Sequence, residues 1–177
     1  MLAADLVWPL HGAASGAFTL EDDAAAPEAA VVSAVERPVL LGYAPEHPNG
    51  RAMLVLGGGG YTALMAGREG VQVARWLNGL GYHAFLLIHR FPHAGTGPAA
   101  PLDDATAAMA MIRRSGLADR GLGVVGLSSG GHLAACLAAA YPAEWGTGTT
   151  QRPDIMVIGY APISTNASGR TIIADKP

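Results

Sequence analysis

The hydrophobic residues of the chain form short, dense runs that alternate with longer amphipathic stretches. Proline, glycine and other turn residues bound the apolar runs, which predict five strands: 37–45, 51–57, 83–91, 122–128 and 154–164. Helical spacing of apolar side chains predicts three helices: 68–81, 101–116 and 129–141. This alternation is typical of an α/β protein with a mostly parallel sheet, and nearly all-apolar strands such as 51–57 indicate helices on both faces, in three layers.

The first 36 residues do not follow this pattern. They are rich in Ala, Gly, Pro and acidic residues, as in EDDAAAPEAA at 21–30. We expect an irregular lead-in segment over 1–36 and a folded domain over 37–177.

Composition narrows the class of protein further. Of the 177 residues, 50% are hydrophobic and only 14% are charged, against about 25% charged residues in an ordinary domain. This balance predicts one domain with a large buried core. A net charge of −3 and a pI near 6.0 give no basic surface, so we expect no nucleic-acid partner.

Targeting, cysteine and metal signals are weak. No stretch is long enough to cross a membrane, and the N-terminus lacks the positive region of a signal peptide, so we expect a cytoplasmic protein. Cys136 is the single cysteine, which excludes an internal disulfide, and we expect it to pack in an apolar helix. Because no His, Cys and Asp cluster has ligand spacing, we predict no metal and no cofactor.

Residues 121–131, GLGVVGLSSGG, contain two overlapping motifs. GLGVVG matches the G-x-G-x-x-G turn of dinucleotide-binding proteins, which follows a strand and opens a helix. GLSSG matches the G-x-S-x-G elbow, in which a nucleophilic serine lies on a tight turn between strand and helix. Leu122, Val124 and Val125, which lie between the glycines of GLGVVG, look like the strand itself. This favours the serine elbow over the dinucleotide-binding turn.

Crowding within such an elbow requires small residues two positions before and two after the nucleophile. Ser128 has Gly126 and Gly130 there, whereas Ser129 has Leu127 at the first position. The sequence therefore predicts Ser128 as the nucleophile. The alternative is a serine that only caps the following helix.

A second glycine-rich stretch, LGGGGY at 56–61, directly follows a predicted buried strand. Consecutive glycines let backbone N–H groups approach an anion without interference from Cβ atoms, as an oxyanion hole needs. The N–H of Ser129, after the nucleophile, would be the partner donor. A flexible turn and a phosphate cradle are alternatives, but no G-K-[ST] follows, which excludes a P-loop.

These motifs together resemble the α/β-hydrolase superfamily. The residues that carry the resemblance are GLSSGGHLAA, LGGGGY, the REG of REGVQVARWLNGLGYHAFLL, HRFP and PLDDATAAM, over about 37–164. They are most similar to the carbohydrate-esterase-like and acetylesterase-like branch related to hormone-sensitive lipase. The resemblance implies a serine carboxylic-ester hydrolase for small short-chain acyl esters, acetylated sugars among them, with Ser128 as nucleophile and Gly59, Gly60 and Ser129 as oxyanion donors.

The chain departs from that family at several positions. Gly57 stands in place of a proline, His89 in place of a tyrosine, and Ser129 in place of an alanine. A further departure concerns the triad, whose acid and histidine follow the serine in this fold. The last histidine is His132, four residues after Ser128, and we expect it to be structural.

Other candidates for the base and the acid are poorly placed. His89, at the end of a predicted strand, is the one outside candidate for the base. Asp103 and Asp104 look like helix-start residues, Asp154 lies at the wrong end of its strand, and Asp175 is near the terminus. We therefore expect a partial α/β-hydrolase domain that lacks its C-terminal strands, with an open apolar sheet edge prone to self-association.

The sequence alone leaves two other functions open. The first keeps the fold without the chemistry, as a catalytically incomplete fragment that acts only by association. The second is a nucleotide-binding α/β module that uses GGGG or GLGVVG for phosphate.

Overall fold

The computed structural model of the chain describes residues 2–21, 26–139 and 152–162. Its strands are β1 Leu6–Pro9, β2 Phe18–Leu20, β3 Val32–Val35, β4 Val39–Tyr43, β5 Ala52–Leu56, β6 His83–Ile88, β7 Leu122–Leu127 and β8 Ile155–Gly159. Its α-helices are α1 Gln72–Gly79, α2 Ala100–Arg114 and α3 Ser129–Ala138. A 3₁₀ turn, Pro27–Ala29, precedes β3, and a π-helical turn, Ala66–Val71, runs into α1.

Within these residues the main sheet has six strands in the order β1-β4-β6-β5-β7-β8. Strands β6, β5, β7 and β8 are parallel neighbours, whereas β4 and β1 add antiparallel pairs at one edge. Strands β5 and β7 lie at the centre of the parallel part, with Val55 opposite Val125 and Leu56 opposite Gly126. The prediction of a mostly parallel α/β sheet is confirmed.

The sheet is covered on both faces. Successive side chains of a strand point to opposite faces, and the central strands divide their apolar residues accordingly. One face packs Leu54, Leu56, Phe85 and Leu87 against α2 and α3, including Met109 and Leu133. The other packs Met53, Val55, Leu86 and Ile88 against the π-helical turn and α1, including Val71 and Leu77. The expected three layers are therefore present.

The expectation of an irregular lead-in is wrong for residues 6–9, 18–20 and 32–35, which form β1, β2 and β3. Strand β1 pairs with β4 as an edge of the main sheet, and Trp8 stacks on Phe85 with ring centroids 5.1 Å apart. Strands β2 and β3 pair with each other. Each strand has only three or four residues, too few to show a strand period among the surrounding Ala, Gly and Pro.

The start of the predicted helix 68–81 also differs. Here the chain first makes the wider π-helical turn, in which Gly67 packs on the backbone of Glu28 and Gly70 packs on Leu86. A Cβ on Gly67 would lie 2.4 Å from the Glu28 carbonyl. Such turns are frequent at functional sites, and this one places Glu69 beside the glycine-rich loop.

Candidate active site

Ser128 lies on a sharp turn between β7 and α3. Its backbone has φ 53° and ψ −124°, a region that L-residues rarely adopt and that costs about 1–3 kcal/mol. The turn is held on both sides: the Ser128 N–H donates to the Gly159 carbonyl at 2.9 Å, and the Ser128 carbonyl accepts from the N–H groups of Gly131 and His132. Its side chain makes no capping hydrogen bond to α3, so the helix-cap interpretation is not supported.

The two glycines that flank Ser128 are required by packing. A Cβ on Gly126 would lie 2.2 Å from the Gly130 carbonyl oxygen, and a Cβ on Gly130 would lie 2.1 Å from the Leu56 carbonyl oxygen. The strand–turn–helix geometry expected at Ser128 is therefore present. The dinucleotide interpretation is wrong, because β7 already begins at Leu122 and runs through Gly123 and Gly126.

The glycine-rich loop 57–60 follows β5 and lies against this turn. A Cβ on Gly58 would lie 2.7 Å from the Ser128 Cβ and 2.6 Å from Oε2 of Glu69. The loop therefore passes between the serine and the Glu69 carboxylate, and only a glycine fits at position 58.

Hydrogen bonds fix the orientation of successive peptide groups in the loop. The Gly58 N–H donates to Glu69 Oε2 at 2.7 Å, and the Gly58 carbonyl accepts from the Met65 N–H at 2.8 Å. The Gly59 carbonyl accepts from the Ala63 N–H at 3.1 Å. In a trans peptide the N–H points opposite to the C=O, so the Gly59 N–H points away from Met65 and the Gly60 N–H away from Ala63.

The three predicted oxyanion donors are not equivalent in the structure. The Gly60 N–H already donates to Oγ of Ser129 at 3.0 Å. Within residues 2–21, 26–139 and 152–162, the N–H groups of Gly59 and Ser129 meet no acceptor. Ser129 is the first residue of α3, where the helix dipole favours negative charge.

Glu69 has a position that sequence reasoning missed. One carboxylate oxygen accepts from the Gly58 N–H, and the other accepts from the hydroxyl of Tyr160 at 3.0 Å. Tyr160 directly follows Gly159, whose carbonyl holds the Ser128 N–H. Glu69 thus links the loop after β5 to the segment after β8. In the sequence Glu69 is marked only as part of the REG motif at 68–70. Nothing in the spacing of that motif indicates that Glu69 contacts Gly58 and Tyr160.

Tyr61 ends the loop and anchors it to α3. Its backbone φ is 64°, its side chain is buried, and its hydroxyl shares a 2.8 Å hydrogen bond with Nδ1 of His132. Burial raises the pKa of Tyr61 and lowers that of His132. Cys136, one turn further along α3, lies 3.8 Å from Nε2 of His132. His132 therefore holds the end of the glycine-rich loop through Tyr61. This contact is consistent with a structural role, which stays a prediction.

His89, the outside candidate for the base, lies at the end of β6 and is only 2% exposed. Its Nδ1 donates to the Arg90 carbonyl at 2.9 Å, and its ring packs against Tyr61 and Phe91. Burial lowers the pKa of His89. Among the described residues, no hydrogen bond joins the Ser128 hydroxyl to the imidazole ring of His89 or of another histidine.

Arg90 and Asp104 form an ion pair next to His89, in which the carboxylate is buried and the guanidinium is partly exposed. The Asp104 side chain is fully buried, accepts from the Arg90 N–H at 2.8 Å and from its guanidinium at 2.7 Å. Asp104 lies near the start of α2, as expected, but its carboxylate also turns inward and fixes the end of β6. A short chain segment separates the two residues, and the sequence does not reveal that they meet.

The other candidates lie away from Ser128. Asp154 accepts from the Leu122 N–H at the start of β7, so it lies at the opposite end of the parallel strands from Ser128. Asp175 lies outside the described residues. In the described ranges no group of three His, Cys, Asp or Glu side chains could hold a metal ion, and no helix is long and apolar enough to span a membrane.

This fold and turn define an α/β protein with a serine on a strand–turn–helix elbow. No protein-family profile matches the chain. The acetylxylan esterase of Xylanibacter ruminicola is 32% identical over 126 residues, which is 69% of this chain and 25% of that protein.

Two solved structures are similar over most of the chain. The acetyl ester-xyloside bifunctional hydrolase from Caldicellulosiruptor lactoaceticus has a TM-score of 0.63 and 29% identity, over 90% of this chain and 58% of that one. MGS-M1, an α/β-hydrolase enzyme from a Medee basin deep-sea metagenome library, has a TM-score of 0.59 and 23% identity, over 88% and 62%. The chain has an α/β-hydrolase fold and is similar to carbohydrate esterases with that fold. It spans only part of the length of these relatives.

Proposed function

We propose that this chain carries the nucleophile and the oxyanion donors of a serine ester hydrolase. Oγ of Ser128 would attack the ester carbonyl carbon, and its proton would pass to a base. The tetrahedral intermediate would then release the alcohol and leave an acyl group on Ser128, which water removes as the free acid. The observation that carries the proposal is the strained backbone of Ser128 between two obligatory glycines.

The oxyanion of the intermediate would bind the N–H groups of Gly59 and Ser129. Both meet no acceptor within the described ranges, and one begins a helix beside Ser128. Loss of one such donor typically lowers kcat by about 10²–10³-fold.

The base is not assigned by the described residues. His132 is bonded to Tyr61, and His89 is buried and bonded to a backbone carbonyl. We propose that the base comes from outside the described residues.

Short acyl esters are the proposed substrates, with acetyl groups on sugars as the first class to test. The names of an acetylxylan esterase and of an acetyl ester-xyloside hydrolase support this choice. We expect wild-type protein to hydrolyse 4-nitrophenyl acetate and an acetylated xylo-oligosaccharide, Ser33→Ala to match it, and Ser128→Ala to lose the activity. A Ser128→Ala protein that keeps the wild-type rate would show that the proposal is wrong.

A second candidate function is self-association through β8. This strand pairs with β7 on one side, and its Ile155, Met156 and Val157 are 44–49% exposed. Apolar strands at a sheet edge tend to pair with another chain. We expect Val157→Lys to shift sedimentation toward the monomer; an unchanged distribution would oppose this function.

A further inference from the structure

We propose that the side chain of Ser129 holds the Gly60 N–H away from the oxyanion, so that this hydroxyl limits the number of donors that the site offers. The inference rests on the proposed function of Ser128. It concerns the Ser129 hydroxyl alone, whereas the Ser129 backbone N–H acts as a donor in the proposed mechanism.

The contact is direct, and it joins an exposed loop residue to a buried side chain. The Gly60 N–H lies 3.0 Å from Oγ of Ser129; Ser129 is only 4% exposed, whereas Gly60 is exposed. A buried polar group that loses its partner costs about 1–3 kcal/mol, and here that cost falls on the Ser129 hydroxyl. The hydroxyl therefore keeps the Gly60 N–H while no stronger acceptor is present.

The loop cannot easily offer this N–H to both acceptors. The Gly59 carbonyl, on the same peptide group, is held by the N–H groups of Thr62 and Ala63 at 3.2 and 3.1 Å. Because the peptide is planar, these bonds fix the direction of the Gly60 N–H. A single hydrogen that already points at Ser129 Oγ is only partly available to a bound anion.

Removal of the hydroxyl should therefore release a donor. An oxyanion is a stronger acceptor than a neutral hydroxyl, because charge-assisted hydrogen bonds are roughly twice as strong. In Ser129→Ala the Gly60 N–H loses the acceptor that the described residues give it, and it can join the N–H groups of residues 59 and 129 in binding the anion. A purely structural role of the hydroxyl predicts the opposite, since its loss would loosen the loop and slow the reaction.

The test is the rate of phosphonylation by a fluorophosphonate, whose P–O group acquires negative charge where the oxyanion would lie. We expect Ser129→Ala to raise the rate constant of the covalent step about tenfold, below the effect of a full donor, with little change in the half-saturating concentration. Ser129→Cys should fall between the two, because a thiol is a weak acceptor. Ser33→Ala, which removes an exposed hydroxyl on β3, should match the wild type. Misfolding cannot produce a faster reaction.

A second readout does not depend on the chemistry. Hydrogen exchange of the Gly60 amide, followed by nuclear magnetic resonance, should be slow in the wild type and in Ser33→Ala, and clearly faster in Ser129→Ala. If no protein reacts with the probe, the proposed function of Ser128 fails, and faster Gly60 exchange in Ser129→Ala alone would still support the hydroxyl as the holder of this N–H.

Two results would overturn the inference. One is a reactive wild type with a Ser129→Ala protein that reacts at the same rate or more slowly. The other is Gly60 exchange that does not change when the hydroxyl is removed.

Discussion

Two glycine-rich turns lie side by side at the carboxyl ends of β5 and β7, and they are fixed in different ways. The elbow around Ser128 is fixed by backbone packing, because Cβ atoms on Gly126 and Gly130 would lie 2.2 and 2.1 Å from the carbonyl oxygens of Gly130 and Leu56. The loop 57–60 is oriented by more distant groups, namely Glu69, Met65 and Ser129. The elbow therefore depends on small residues at fixed positions around the serine, whereas the orientation of the loop depends on hydrogen bonds to other segments, among them the bond between the Gly60 N–H and Oγ of Ser129.

This difference decides what the sequence can reveal. The elbow can be recognised from the five residues of G-x-S-x-G, whereas a loop that is oriented by side chains far along the chain cannot be recognised from a short pattern. We expect substitutions in the elbow to affect folding, and substitutions of the groups around the loop to affect chemistry more than stability.

The largest effect should come from a methyl group in the elbow. Gly130→Ala would place its Cβ 2.1 Å from the Leu56 carbonyl oxygen, a backbone atom of a central strand that cannot move aside. We expect a loss of about 3 kcal/mol in the free energy of unfolding, measured by urea denaturation.

Gly79→Ala is the matched control, because a Cβ at Gly79, the last residue of α1, meets nothing within 4 Å. It should change stability by less than about 1 kcal/mol, in the stabilising direction. Equal effects of the two substitutions would contradict the packing account of the elbow.

The next effect concerns the loop. Glu69→Ala removes the acceptor of the Gly58 N–H and of the Tyr160 hydroxyl. A hydrogen bond to a charged group contributes about 1.5–3 kcal/mol, so we expect a slower covalent step with a fluorophosphonate and a modest loss of stability. Glu69→Gln keeps an acceptor for Gly58 and should restore most of the rate.

Arg68→Ala serves as the control in the same turn, since Arg68 is exposed. Its labelling rate should equal that of the wild type. If Glu69→Ala also labels at the wild-type rate, Glu69 does not position the loop.

The smallest effect is a dependence of stability on pH. Burial lowers the pKa of His89 below its ordinary 6.5, so the unfolded chain takes up a proton that the folded chain resists. Stability conferred by neutral His89 is complete above pH 6.5 and is lost as the pH falls toward the lower, folded-state pKa, at no more than about 1.4 kcal/mol per pH unit.

His89→Asn should flatten this part of the stability curve, measured by denaturation between about pH 5 and 8. His47→Gln removes an exposed histidine and is the control. An unchanged slope in His89→Asn would show that the buried ring does not resist protonation.

The same contrast explains what the sequence could predict. The five strands of the alternating pattern, the three helices and the elbow follow from local patterns of apolar residues and glycine. The donors of the loop do not, because the bond between Gly60 and Ser129 joins segments that only the fold brings together. Asp104 looks like a helix-start residue until Arg90 is found beside it. Strands β1, β2 and β3 are too short for a pattern to show.

The measurement that tests the central claim most directly is intact-mass analysis after incubation with a fluorophosphonate, followed by peptide mapping. The strained elbow predicts one adduct on the wild type, located on Ser128 and absent from Ser128→Ala. A folded wild type without an adduct, or an adduct that persists in Ser128→Ala, would contradict the assignment of Ser128 as an activated nucleophile.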